Sequence, residues 1–319
     1  MKIVHISDTH LGARQLHYTN DRGRNVREQD IYDAFVKAVD NVLELRPAMV
    51  VHAGDLFDGY HPSAAALGVA LDQFARLSDA EIQVVAISGN HSTPRVAATD
   101  HVFALLNRFG GVHAVHEQPE VVRIGELAVT AIPHCNDPRQ LREWITEAKP
   151  QPDAQFNVLV AHLGLSGLGH IGASEADSIE LSGETLEAVG EFTYIALGHL
   201  HQFDRVRQNA VYAGSLDQVT WADKARKCIV EVDLTADPVA DEDAYIVKHF
   251  LPCRKHLRLP DVDASQTDNL TDAIVAAAQR DDLVGSIVKL PILNGTVEVF
   301  GAIDRRQVNA AFSLDSRDA

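Results

Sequence analysis

Lys2-Ile3-Val4-His5-Ile6-Ser7-Asp8-Thr9-His10 decides how this chain is read. Ile3 to Ser7 is a short apolar run with the shape of a buried strand, and it stops on an aspartate and a histidine. The same arrangement recurs along the chain. Met49 to Ala53 leads to Asp55, Val84 to Ser88 leads to Asn90 and His91, Val158 to Ala161 leads to His162, and Tyr194 to Leu197 leads to His199 and His201. In an open α/β sheet, ligands gather just outside the carboxyl ends of the strands, so residues far apart in sequence converge there. The converged set is three carboxylate or amide oxygens and several imidazoles.

The chain of 319 residues has material for one large core of about 200 to 250 residues and an additional module. Nothing reaches membrane-spanning length, and no membrane partner is expected. Three cysteines, Cys135, Cys228 and Cys253, lie in no paired spacing, which argues for a reducing compartment rather than a disulfide framework. Residues 1 to 7 already read as a strand, with no room for a secretory signal, so a cytoplasmic address is expected. The formal net charge of −17 would ordinarily count against a polyanionic substrate. Bound divalent cations reverse that locally, and Arg14, Arg22, Arg24 and Arg27 cluster just after the first ligand pair. Asp21, Glu28 and Asp30 sit among them, so the cluster reads either as a phosphate-binding patch or as a solvated loop.

Strand-like and helix-like segments alternate through the first half, the α/β signature. Residues 29 to 45 place Ile31, Ala34, Phe35, Ala38, Val39, Val42 and Leu45 at helical spacing, ended by Pro47. Residues 63 to 77 and 99 to 109 carry further apolar stripes, through Leu67, Leu71, Phe74 and Leu77 and through Val102, Leu105, Leu106 and Phe109. The second half changes character. Hairpin patterns flank Gly125-Glu126 and Gln208-Asn209, and strands are expected at 228 to 234 and 244 to 250. These predict a second, largely antiparallel sheet packed on the first, with helices outside. From Pro252 the pattern becomes a small α/β module: a strand from His256 to Leu259, a helix from Leu270 to Ala278 capped by Thr267 or Asp268, a strand from Ser286 to Leu290, and a helix from Asp304 to Phe312.

Mixed oxygen and imidazole donors suit a pair of Mn²⁺, Fe or Zn²⁺ ions better than Ca²⁺, and the lack of cysteine ligands weakens a structural zinc reading. A carboxylate shared between two cations about 3.5 to 4 Å apart, with open positions left on each, binds phosphate oxygens and lowers the pKa of a water. Any single histidine is more often a satisfied core or surface residue. The ordered set Asp-x-His, Gly-Asp, Gly-Asn-His, strand-ending His and Gly-His-x-His is not explained that way. His5, His52, His113, His116, His249 and His256 lack that context and read as structural or surface residues.

These motifs resemble the calcineurin-like metallophosphoesterase superfamily over residues 1 to about 215. Within it, residues 1 to 12, the His-Ala-Gly-Asp-Leu-Phe-Asp segment at 52 to 58, Asp30 to Phe35, and Gly-His-Leu-His-Gln at 198 to 202 are similar to the SbcD-like DNA repair exonucleases, the nuclease subunit of a double-strand-break repair complex. The resemblance implies a four-layer α/β/β/α sandwich over 1–251, with 252–319 as part of a DNA-capping module. It implies two divalent metal ions, Mn²⁺, with Asp8, His10 and His201 on one, Asn90, His162 and His199 on the other, and Asp55 on both. His91 is then the catalytic residue over the phosphate, not a ligand. Ser92 stands where the family usually has an aspartate that orients this histidine, and Asp58 stands where several relatives carry a phosphate-contacting histidine. The resemblance further implies DNA as substrate, a homodimer through the 63–77 and 99–109 helices, and an ATPase partner of the structural-maintenance-of-chromosomes type. The helical segment that docks that partner is not evident up to Ala319.

The leading expectation is a manganese-dependent DNA nuclease that degrades duplex ends 3′ to 5′ and nicks single strands. One alternative is a small-molecule or cyclic-nucleotide phosphodiesterase or phosphatase of the same superfamily, which the acidic charge favours. Another is a DNA-end scaffold with weak nuclease activity, which the complete ligand set disfavours.

Overall fold

In the computed structural model, the alternating periodicity becomes β1 (Lys2–Ile6), α1 (Val26–Leu45), β2 (Met49–His52), α2 (Ala64–Asp79), β3 (Gln83–Ile87), α3 (Phe103–Leu106) and β4 (Val112–Val115). The residues described are 1–95, 101–166, 180–182, 184–221, 223 and 226–312. Asn25 starts α1 by accepting hydrogen bonds from the Arg27 and Glu28 amides, and Arg46 ends it in a left-handed conformation just before Pro47. There follow β5 (Glu120–Ile124), β6 (Leu127–Ile132), α4 (Pro138–Glu147), β7 (Phe156–His162), β8 (Gly164–Ser166), β9 (Glu180–Ser182), α5 (Glu184–Glu187) and β10 (Tyr194–Gly198). Then come β11 (Asp204–Arg207), β12 (Ala210–Tyr212), β13 (Lys227–Asp233), α6 (Glu242–Tyr245) and β14 (Ile246–Leu251).

Two six-stranded sheets result, ordered β14-β13-β1-β2-β3-β4 and β11-β12-β10-β7-β6-β5. Period-two alternation sends one set of side chains from each sheet inward and the other outward. Ile3, Val51, Val85 and Ile87 meet Val129, Val158, Val160 and Tyr194 between the sheets. On the far side of the first sheet, Val4, Ile6, Val50 and Val84 pack with Phe35 and Val39 of α1 and Phe74 and Leu77 of α2. On the far side of the second, Leu159, Ala161 and Ile195 pack with Leu141 and Ile145 of α4 and Leu186 of α5. This is the four-layer α/β/β/α sandwich. Both faces of the central strands are covered, so their sequences are continuous Val, Ile and Ala runs.

The expected sheet membership needs correction. β13 and β14 join the first sheet beside β1, and the centre of the second sheet is parallel, from β6 through β7 and β10 to β12. Only the β5–β6 and β11–β12 hairpins are antiparallel there. Turn chemistry specifies a hairpin between neighbours, but not which sheet edge a later strand joins. The expected 99–109 helix is a single turn, α3, among the described residues; 96–100 lie outside them.

The chain divides after Cys253 into two compact units. In the second, β15 (His256–Arg258) pairs with β17 (Ile287–Lys289), and β16 (Val262–Asp263) pairs with β18 (Ile292–Leu293), both in parallel. Its small core holds Ala264, Leu270 and Ile274, with Leu270 and Ile274 supplied by α7 (Leu270–Ala278). Asn269, rather than Thr267 or Asp268, caps that helix, because its side-chain oxygen reaches the Thr271 and Asp272 amides. Helices α8 (Val297–Gly301) and α9 (Arg305–Phe312) follow.

Candidate metal centre

Asp8 and His10 follow β1, Asp55 follows β2, Asn90 and His91 follow β3, His162 ends β7, and His199 and His201 follow β10. The carboxyl ends of parallel strands from both sheets therefore meet at one edge of the sandwich. His10 Nε2 lies 3.1 Å from His201 Nε2. His162 Nε2 lies 2.9 Å from Asn90 Oδ1 and 3.0 Å from Asp55 Oδ2, and His10 Nε2 is 4.0 Å from the same Asp55 oxygen. Donor atoms cluster within 4.8 Å of one another in three overlapping groups: Asp8, His10 and His201; His10, Asp55 and His91; Asp8, Asp55 and His162. His199 is in none of these groups; its ring stands 5.4 Å from that of His162, and its amide donates to Asp8 Oδ1.

The backbone around these residues is bent out of ordinary conformations. Asp8, His10 and Asp55 each have φ of 50° and His199 has φ of 104°. Non-glycine residues reach that region at a steric cost of about 1 to 3 kcal/mol each, and such strain concentrates at functional sites. Here it turns side chains at the strand ends toward one another. Glycine is required at two of these corners by close approach. A Cβ on Gly198 would fall on the Ala53 carbonyl oxygen, and one on Gly54, at φ +94°, would fall on the His162 ring.

The imidazoles are also held from behind. Nδ1 of His162 donates to the Ala53 carbonyl at 2.8 Å, Nδ1 of His10 to Asp58 Oδ1 at 3.2 Å, and Nδ1 of His201 faces Asp223 Oδ2 at 3.5 Å. Acceptors on the Nδ1 side leave Nε2 of each ring to face the others, and on His162 that atom donates toward Asn90 Oδ1 and Asp55 Oδ2 where no cation takes the proton's place. Two lone pairs 3.1 Å apart repel unless a proton or a cation lies between them. Asp8 Oδ2 is buried with no hydrogen-bond partner, which is costly for an ionised oxygen without a cation nearby. Burial pushes Asp8 up despite His162, His201 and His10 nearby. Burial would lower His162, but Asp55 and Asp8 raise it to about 9. Burial would raise Asp55, yet His162, His10 and His91 hold it well below the carboxylate range. The centre is thus a buried negative site that draws positive charge, and its oxygen and imidazole donors fit a pair of divalent ions.

A family model described as calcineurin-like phosphoesterase matches residues 1–203. The chain belongs to that family. Relatives of this phosphoesterase include the DNA double-strand break repair protein Mre11 of Sulfurisphaera tokodaii, 32% identical over 63% of this chain and 49% of that protein. The Mre11 of Sulfolobus acidocaldarius is 30% identical over 63% and 50%. That of Methanocaldococcus jannaschii is 27% identical over 90% and 76%. The chain spans about half the length of the first two. No helix among the described residues of the phosphoesterase is long and apolar enough to cross a membrane.

Outside the centre, Arg14, Arg22 and Arg24 line one cavity of about 770 Å³ together with His17, Thr19 and Asn25. Arg14 forms a two-pronged pair with Glu28, and Arg24 donates to Gln29 while lying over the Tyr32 ring. Arg27 corrects the sequence reading. Its side chain is 1% exposed, paired with Asp30 at 2.6 Å and Asp217 at 2.9 Å, and it leaves no surface to a phosphate. On α1 its position falls on the inward face, which its charge concealed. Sequence reasoning also missed the groups behind the rings. Asp223 carries a strongly depressed carboxyl: burial would raise it, but His201 and Lys227 lower it. Lys227 is buried and donates to the His201 carbonyl at 2.6 Å. His134, buried beside the centre and pushed down to about 4 by burial and by His162, stays neutral. No motif marks Asp223 or Lys227, since neither follows a strand end.

Proposed function

We propose that this phosphoesterase is a two-metal DNA nuclease of double-strand-break repair, acting on duplex ends 3′ to 5′ and nicking single strands. The observation that carries the reading is the convergence of His10, His162 and His201 Nε2 on Asp55 and on the unpartnered Asp8 oxygen. Asp8, His10 and His201 would hold one ion, Asn90, His162 and His199 the other, and Asp55 both. Two Mn²⁺ ions, when bound, supply positive charge to phosphate oxygens and lower the pKa of a water. His91 is reserved for proton chemistry. Its Nδ1 donates to the Asp58 carbonyl at 3.0 Å, so proton transfer to the leaving oxygen falls to Nε2 of the imidazolium. Arg14, Arg22 and Arg24 would take DNA phosphates in their cavity. The names of the Mre11 relatives support DNA as substrate.

The homodimer and the ATPase partner rest on the resemblance, and the cytoplasmic address on the unpaired spacing of the three cysteines. For the dimer, α2 and α3 offer the contact, with Leu67 and Leu71 only partly buried and Leu105 39% exposed. Light scattering should report twice the chain mass; a monomer at micromolar concentration, indifferent to charged substitutions along both helices, refutes it.

The net charge of −17 favours a second reading, a small-molecule phosphodiesterase. End-labelled duplex DNA, circular single-stranded DNA and bis-p-nitrophenyl phosphate, each with Mn²⁺, Mg²⁺ or Zn²⁺, separate the two. Turnover of both DNAs with Mn²⁺ is expected. Hydrolysis of the small ester alone would replace the nuclease reading, and no hydrolysis with any ion would remove both.

A further inference from the structure

Asp58 lies midway along the loop between β2 and α2, and four backbone bonds fix it in register with the first ligand pair. Asp8 N donates to Gly54 O at 3.0 Å, His10 N to Asp55 O at 2.9 Å, Leu11 N to Leu56 O at 2.9 Å, and Asp58 N to Leu11 O at 3.2 Å. Residues 8–11 and 54–58 therefore run side by side beyond the ends of β1 and β2. From that position one residue meets two imidazoles. Its carboxylate Oδ1 is 3.2 Å from His10 Nδ1 and 3.8 Å from His91 Nδ1, while its carbonyl oxygen is 3.0 Å from His91 Nδ1. The two rings stand edge to face, perpendicular, with centroids 4.7 Å apart.

A carbonyl oxygen and an ionised carboxylate only accept, so each bond requires the hydrogen on Nδ1. His10 is thereby left with its lone pair on Nε2, the atom 3.1 Å from His201 Nε2. The residue expected to orient His91 from the sequence, Ser92, is fully buried and has its hydroxyl on the backbone of Gly89, at 3.2 Å from the amide.

We propose that Asp58 is the positioning residue of this centre, setting the tautomer of His10 through its carboxylate and that of His91 through its carbonyl. Its consequence for metal uptake rests on the two-metal reading; its geometry does not. Asp58 acts through the two rings, a role distinct from that of a phosphate-contacting residue at the same position.

The test compares wild type, Asp58→Ala and Asp58→Asn as metal-free, histidine-labelled proteins by long-range proton–nitrogen NMR, at a pH where imidazoles are neutral. In wild type both His10 and His91 should carry the hydrogen on Nδ1. Asp58→Ala should turn His10 into a mixture of tautomers while His91 keeps its own, because the backbone carbonyl remains. Asp58→Asn retains an acceptor and should restore His10. Titration with Mn²⁺ alone should show affinity reduced by about 10- to 100-fold in Asp58→Ala, as for loss of the partner behind a ligating histidine. A His10 that keeps its tautomer in Asp58→Ala, or Mn²⁺ affinity equal to wild type, overturns the proposal. A wild-type protein that takes up no Mn²⁺ removes the two-metal reading instead, and the His10 tautomer then decides alone.

Discussion

At the scale of single residues, Asp55 uses both carboxylate oxygens within the centre. Oδ2 faces His162 and His10, and Oδ1 accepts the His91 amide at 3.0 Å. Asp55→Asn or Asp55→Ala should lose at least one ion and lower DNA cleavage by about three or more powers of ten. Metal analysis and duplex-end assays on one sample check this; two retained ions with near-parental cleavage would sink the shared-ligand assignment. His91 should behave differently. Its Nδ1 is committed to Asp58, so His91→Leu should retain both ions and DNA affinity while turnover falls by about 10² to 10⁴. Loss of an ion in that variant, or cleavage at the parental rate, would show the role to be wrong. Restoring the family aspartate at Ser92 should not help, since a carboxylate there would be buried against Gly89.

Secondary elements were readable where one local cause decides them. The five strands that lead to the centre follow from short, mostly apolar runs, and α1 follows from helical spacing, Asn25 and Pro47. Candidate ligands were visible because each ends such a strand or follows it within four residues. Sheet membership was not, since β13 pairs with β1 across the whole length of the phosphoesterase unit and no turn signal encodes that choice. The partners of Asp58 and Asp223 were hidden for the same reason: they are set by how loops lie against each other, not by spacing. The glycines in Gly-Asp and Gly-His-x-His now have a physical reading as packing contacts. Gly198→Ala would drive a methyl into the Ala53 carbonyl and toward His162. Stability should fall by about 1 to 3 kcal/mol, the range for forcing extra volume into a packed site. Thermal unfolding with Mn²⁺ titration checks it; unchanged melting and metal uptake would mean that β2 and β10 are not so tightly apposed.

Over the whole molecule, a chain of net charge −17 repels DNA at long range, so the proposed binding would depend on local positive charge. The arginine loop and the metal centre are the places where it can be supplied. The four arginines first grouped by sequence separate physically. Arg22 and Arg24 face the 770 Å³ cavity, Arg14 does so with its charge largely offset by Glu28, and Arg27 is interior. Arg22→Ala with Arg24→Ala should weaken binding to all DNA sequences alike and reduce the salt slope of log K by about two units, while hydrolysis of bis-p-nitrophenyl phosphate persists. Arg27→Ala should do the reverse. It strands Asp217, 3% exposed, beside the vacated guanidinium site. That should cost about 3 to 5 kcal/mol of stability, as for breaking a buried ion pair, with the salt slope of the remaining folded protein unaltered. Salt-dependent DNA binding and thermal melts on both variants make the comparison. If the double variant keeps the parental slope, the cavity arginines belong to a solvated loop; if it loses small-ester hydrolysis as well, the loop supports the metal centre rather than the DNA.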